Sequence, residues 1–201
     1  MADRDSSAFR TFVFKNRGAL LALPALALVA FGKPSGRAVA VGLPLALAGE
    51  ALRCWAVGYS GTTTRADHVT APRLVTAGPY AHVRNPLYLG NFATAAGFAL
   101  AFTGGLGRRR ARLLQIASLV TMVGIYTAIV PLEEAYLLET FGEPFADYVD
   151  SVPRLIWKRE PYERAQGTYD ASVVAAAETR TFVWFGAMLL ALALKAVRSG
   201  R

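Results

Sequence analysis

An arginine, an asparagine, several tyrosines and two adjacent glutamates stand at the ends of two long apolar runs. The first group reads Gly78-Pro79-Tyr80, then Arg84-Asn85-Pro86-Leu87-Tyr88, then Gly90, and it opens the uncharged stretch 86–107. A second uncharged stretch, 113–132, ends directly in Glu133-Glu134. Runs of 22 and 20 residues match the roughly 30 Å hydrocarbon core of a bilayer. Two consecutive spans carry the chain across and back, so the start of one and the end of the next meet at the same membrane face. Charged groups there are costly and usually have a purpose.

The residue types suggest what that purpose is. Arg84 offers a forked donor for a carboxylate or phosphate. Asn85-Pro86 is a helix start, with Asn favoured at the N-cap and Pro at the first helical position. The amides of such a first turn attract an anion. Glu133 and Glu134 are neighbours on a helix and face about 100° apart. One can therefore bind a cationic group while the other pairs with an arginine. Tyr80, Tyr88 and Tyr148 supply π-faces for a cation and hydroxyls for polar contacts. A ligand with a carboxylate, an ammonium and a further diffuse cation suits this set.

Each residue also has a plainer reading. The glutamates can be a solvated span end, Arg84 a headgroup anchor, and Tyr88 and Tyr148 interfacial aromatics. His82 can be a base or an exposed loop residue. Two histidines and one cysteine do not predict a metal site.

The elements that position these residues follow from composition. The chain has 201 residues and is 54% hydrophobic, too apolar for an ordinary soluble domain. The expected fold is an all-α integral membrane protein, with about five transmembrane helices plus short interfacial helices. Spans are expected at 18–32, 38–58, 86–107, 113–132 and 182–194. Glu50 and Arg53, three apart in the second span, share a helix face and can pair. A tight basic turn, 104–110, joins the third and fourth spans. In 136–149, apolar residues recur near helical spacing with acids between them. Gly142 and Pro144 divide that segment into two short helices, expected to lie along the interface. No cleavable leader is read in the polar, basic stretch 1–17. Net charge is +8, and because the basic residues flank apolar spans, anionic lipid headgroups are the expected partner rather than nucleic acid. Cys54 is the only cysteine, which excludes an intrachain disulfide.

Taken together, the motifs resemble the integral membrane methyltransferases related to isoprenylcysteine carboxyl methyltransferase and the phospholipid methyltransferases. The resemblance runs over 52–157. It includes Arg53-Cys54-Trp55-Ala56-Val57-Gly58, the stretch from Gly78 through Arg84-Asn85-Pro86 to Gly90, Glu133-Glu134, Phe141-Gly142, Tyr148 and Val152-Pro153-Arg154. The family's arginine-histidine-proline is here Arg84-Asn85-Pro86, and Phe145 stands where many relatives carry tyrosine.

The resemblance implies a single membrane domain, 1–201, with a methyltransferase-like core at 52–157. It implies S-adenosylmethionine as cofactor, bound by Tyr80, His82, Arg84, Asn85, Pro86, Tyr88, Glu133, Glu134 and Tyr148, with Arg84, Glu133 and Glu134 carrying the reaction. It implies methyl transfer to a lipophilic or amphipathic acceptor, with Phe141, Phe145 and Tyr148 lining the acceptor's entrance and Leu137 and Leu138 packing on the spans. That cofactor is made in the cytosol, which places the motif face on the cytoplasmic side of an inner or plasma membrane. No strand-linked Gly-x-Gly-x-Gly is present, so a soluble-type dinucleotide fold is not expected. A nicotinamide-dependent membrane reductase and a non-enzymatic membrane module are the competing readings. The acceptor's chemistry and the oligomeric state stay open.

Overall fold

Small residues let two helices approach backbone to backbone. The computed structural model describes residues 2–61 and 71–199. Its helices are α1 (Ala2–Phe31), α2 (Gly36–Ser60), α3 (Pro86–Thr103), α4 (Arg108–Phe141), α5 (Glu143–Ser151) and α6 (Ser172–Ser199), with a 3-10 turn at Gly78–Ala81. No strand occurs among the described residues. Helices α2 and α3 pack along their lengths through Gly42, Ala46 and Gly49 on one side and Gly90, Thr94, Gly97 and Ala101 on the other. A Cβ at Gly97 would stand 2.4 Å from the Ala46 amide nitrogen and 2.5 Å from the Gly42 carbonyl oxygen. In lipid, where burial of apolar surface drives little, such backbone contact is what holds helices together.

The chain is an integral membrane protein. Four of its helical segments are long and apolar enough to cross a bilayer: Phe9–Phe31, Gly36–Ser60, Arg108–Phe141 and Ser172–Arg198. The expected span at 86–107 corresponds to α3, whose 18 residues extend about 27 Å. Asn91 and Thr94 dilute its apolar character, and both are engaged by neighbouring helices. Phe98, Ala99, Ala101 and Phe102 of α3 are buried.

Three boundaries differ from the sequence expectation. Helix α1 begins at Ala2 rather than near residue 18. Its polar first half is held because Val13 and Phe14 pack on Met122, Tyr126 and Ile129 of α4. Helix α4 does not stop at Glu133-Glu134 but runs two more turns to Phe141. The first half of 136–149 is thus the end of α4, not a separate interfacial helix. The break comes at Gly142, whose φ of 58° is the left-handed backbone that favours glycine, and α5 follows. Helix α6 starts at Ser172, well before residue 182, which brings Glu178 inside the bundle.

Candidate functional site

The two motifs meet at one end of the bundle. Arg84, just before α3, forms an ion pair with Glu134 of α4 at 3.2 Å. Its Nε donates to Glu134 Oε1 at 3.2 Å, and its Nη1 donates to the carbonyls of Val149 and Val152, both at 2.6 Å. The guanidinium therefore ties α4 to the end of α5. Arg154 also pairs with Glu134, its Nε donating to Oε1 at 3.1 Å. That bond raises the Arg154 pKa above its ordinary value.

The two glutamates have separate partners, as their 100° separation requires. Glu133 accepts a hydrogen bond from the Tyr88 hydroxyl at 2.7 Å. Tyr88 in turn lies against Tyr126, ring centroids 4.3 Å apart.

The remaining predicted residues fall into two groups. Tyr80, Asn85 and Pro86 line the same cavity as Arg84, Tyr88, Glu133, Glu134 and Tyr148. Burial raises the Tyr80 hydroxyl to about 12, so it stays neutral at physiological pH. Asn85 occupies the N-cap position of α3 but makes no side-chain cap; its Nδ2 donates to the Arg154 carbonyl at 3.2 Å. Tyr148 is buried with Phe145 and Val152, and its hydroxyl donates to the Tyr80 carbonyl at 2.7 Å. Burial also pushes the Tyr148 hydroxyl up.

His82 stands apart, since it is not among the cavity-lining residues. It stacks on Trp157 with centroids 4.7 Å apart, and its Nδ1 lies 2.9 Å from the Lys158 carbonyl. It joins the motif loop to the segment after α5. Phe145 and Tyr148 line the cavity, as does Leu137, whereas Phe141 does not, and Leu138 is 50% exposed rather than packed on the spans.

A second polar group lies deeper in the bundle. Arg53 of α2 donates through Nη2 to both oxygens of Glu178 on α6, at 2.8 and 2.7 Å. Its Nη1 donates to Asn91 Oδ1, and its Nε stands 3.7 Å from Glu50. Asn91 Nδ2 then donates to the Tyr126 hydroxyl at 2.7 Å. Glu178 is 1% exposed. The Glu50–Arg53 pairing was visible in the sequence. Glu178 was not, because it reads as the polar flank of a span starting at Phe182, and its partner is 125 residues away.

These groups share one cavity of about 830 Å³, within the range of small-molecule sites. At one end stand Arg84, Glu133 and Glu134; in the middle Arg53, Asn91, Tyr126 and Glu178; at the far end Leu28, Phe98, Met122 and Met188. Among the described residues, no cluster of three or more His, Cys, Asp or Glu side chains could hold a metal.

The fold and site thus define a helical membrane protein with a charged pocket at one end that continues into an apolar interior. The family model for phospholipid methyltransferase matches residues 38–144, and the chain belongs to that family. No curated protein and no solved structure matches the chain.

Proposed function

We propose that this protein is an S-adenosylmethionine-dependent methyltransferase whose acceptor is a lipophilic or amphipathic molecule of the membrane. The observation that carries this reading is the single cavity joining the Arg84–Glu133–Glu134 end to an apolar interior. Family membership supports methyl transfer. A charged cofactor and a lipid-soluble acceptor need such a junction of polar and apolar space.

The residues present fit the cofactor. Glu133 makes one hydrogen bond, to Tyr88, and a carboxylate can accept several more, so it suits an ammonium group. The first-turn amides of α3 suit a carboxylate. Arg84 is committed on all three nitrogens to Glu134, Val149 and Val152. It would share its charge with a ligand carboxylate while mainly positioning Glu134 and the α5 loop. Tyr80, neutral and lining the cavity, offers a polar contact without a second negative charge.

The cofactor would supply a methyl group on a positively charged sulfonium. The protein's part is alignment. Glu133 would hold the cofactor's amino acid end rather than the sulfonium, whose charge is lost in the transition state, and so would not overstabilise the ground state. Segment 52–157 would form the catalytic core, with α6 adding Glu178 from outside it. Because the cofactor is cytosolic, the motif face would be cytoplasmic.

The test is transfer of label. Purified protein in phospholipid bilayers, given methyl-labelled S-adenosylmethionine, should place label in the organic-extractable fraction. Glu133→Gln should reduce that transfer by about thirtyfold or more, the equivalent of the roughly 2 kcal/mol lower end of the cost of truncating a buried charged contact. Label confined to water-soluble products would exclude a membrane acceptor.

A further inference from the structure

Two helices outside the family-matched stretch, α1 and α6, bring cations to the cavity. They run parallel and are pinned together at the end away from the motifs. There Leu28 of α1 packs with Met188 and Leu192 of α6, and Lys195 Nζ donates to the Gly32 carbonyl at 2.9 Å. Arg17 lies 15 residues before Gly32, and Arg180 lies 15 residues before Lys195. On each helix that is a rise of about 22 Å. The two arginines therefore stand at one depth, at the charged end, and both line the cavity. Arg180 is exposed and Arg17 half-buried, which places them at its mouth. Arg17 is held in position: its guanidinium lies 4.2 Å over the Phe14 ring, and its Nη1 donates to the Phe14 carbonyl at 2.7 Å.

Charge decides what such a mouth admits. Among the described residues, six cationic side chains and four glutamates line the cavity, an excess of two positive charges. The glutamates are matched within the protein: Glu133 by Tyr88, Glu134 by Arg84 and Arg154, Glu50 and Glu178 by Arg53. Besides Arg17 and Arg180, the exposed Lys15 and Arg73 are lining cations. S-adenosylmethionine has a carboxylate, an ammonium and a sulfonium, so its entry adds to the positive excess. An acceptor with a phosphate or carboxylate offsets that excess. A cationic acceptor increases it, and the repulsion grows as water is excluded.

We propose that Arg17 and Arg180 form an anion clamp at this mouth, and that the methyl acceptor is an anionic amphiphile held there through a phosphate or carboxylate. This rests on the membrane-acceptor reading above. A guanidinium suits either group, because its planar fork meets two oxygens at once. The clamp would select the acceptor, while the motif residues hold the cofactor.

Matched amphiphiles test the clamp without turnover. The protein in phosphatidylcholine nanodiscs is titrated with dodecyl phosphate, dodecanoate, dodecanol and dodecyltrimethylammonium, each at the same mole fraction in the bilayer. Binding is read from Trp184 fluorescence in a Trp55→Phe/Trp157→Phe background, since Trp184 lines the cavity one turn from Arg180. Thermal midpoints of the unaltered chain give a second reading if that background folds poorly. The two anions should bind more tightly than dodecanol or the ammonium by about tenfold or more, as charged hydrogen bonds allow. Arg17→Gln/Arg180→Gln should abolish that preference and leave dodecanol and S-adenosylhomocysteine binding unchanged. Arg109→Gln/Arg110→Gln removes the same charge from the opposite end of the bundle and should preserve it.

Equal affinity for all four amphiphiles, or an anion preference that survives Arg17→Gln/Arg180→Gln, overturns the proposal. Displacement of dodecyl phosphate by equimolar inorganic phosphate also overturns it, because the mouth would then serve a soluble anion. Loss of S-adenosylhomocysteine binding in the double variant would assign the arginines to the cofactor instead. In the label-transfer assay, dodecyl phosphate should compete with the membrane acceptor in wild type and not in the double variant; anion binding without such competition separates the clamp from the acceptor and overturns the proposal. An anion preference that behaves as expected in a protein that transfers no methyl group would uphold the clamp as an amphiphile site and sink the methyltransferase reading alone.

Discussion

Arg84→Ala lowers affinity for S-adenosylhomocysteine by at least tenfold and loosens the motif end of the bundle. The guanidinium is 11% exposed, and its partner Glu134 is 16% exposed. Removing it leaves the Val149 and Val152 carbonyls without their donor and Glu134 with Arg154 alone. Truncating one partner of a desolvated charged contact costs about 2–5 kcal/mol. Arg84→Lys should rescue little, because an ammonium cannot reach two carbonyls and a carboxylate with the geometry of a guanidinium fork. Glu133→Gln should weaken binding to a similar degree but leave unfolding nearly unchanged, since Glu133 makes a single bond to Tyr88. Titration calorimetry and unfolding of each detergent-solubilised variant separate the two effects. Wild-type affinity in both Arg84→Ala and Glu133→Gln would remove this end of the cavity from consideration as the cofactor site.

Arg53→Met destabilises the protein by about 3–5 kcal/mol, the cost of leaving a buried charge without its partner. Arg53 is the cation shared by Glu178 and Glu50, and it also fixes Asn91. Its loss affects two buried carboxylates that line the cavity. Glu178→Gln should cost less, because Arg53 keeps Glu50 and Asn91 and the amide oxygen can still accept from it. The ordering, Arg53→Met well below Glu178→Gln in thermal midpoint, is the informative result. Wild-type midpoints in both variants would mean that the Arg53–Glu178 pair does not hold α6 to α2.

The apolar runs make most of the helices legible, and the topology they impose is enough to bring Arg84 to the glutamate pair. What failed were ends where charge was taken as a stop signal. Glu133 and Glu134 look like a span terminus, yet inside a helix their side chains find Tyr88 and Arg84, and the backbone continues until Gly142. The two glutamates divided their partners as their angular separation required. Arg154 was part of the motif pattern, but its pairing with Glu134 depends on how the chain turns after α5, which no periodicity reports.

Glu178 was illegible for a similar reason. An acid near a span boundary looks solvated unless its distant cation is known. His82 was ambiguous from sequence and proves to be a strut stacked on Trp157. The N-cap position of Asn85 was read correctly, but its side chain serves Arg154 instead of the α3 amides. The continuity of the cavity from Glu134 to Met188 depends on six helices at once and had no local signature.

The most direct test of the central claim is ligand-induced stabilisation of the whole protein in nanodiscs. S-adenosylhomocysteine at about 100 times its dissociation constant should add about 2.7 kcal/mol of stability by mass action and raise the thermal midpoint accordingly. NADPH at the same concentration should leave it unchanged. A midpoint that rises with NADPH and not with S-adenosylhomocysteine would contradict the methyltransferase account and favour a membrane reductase.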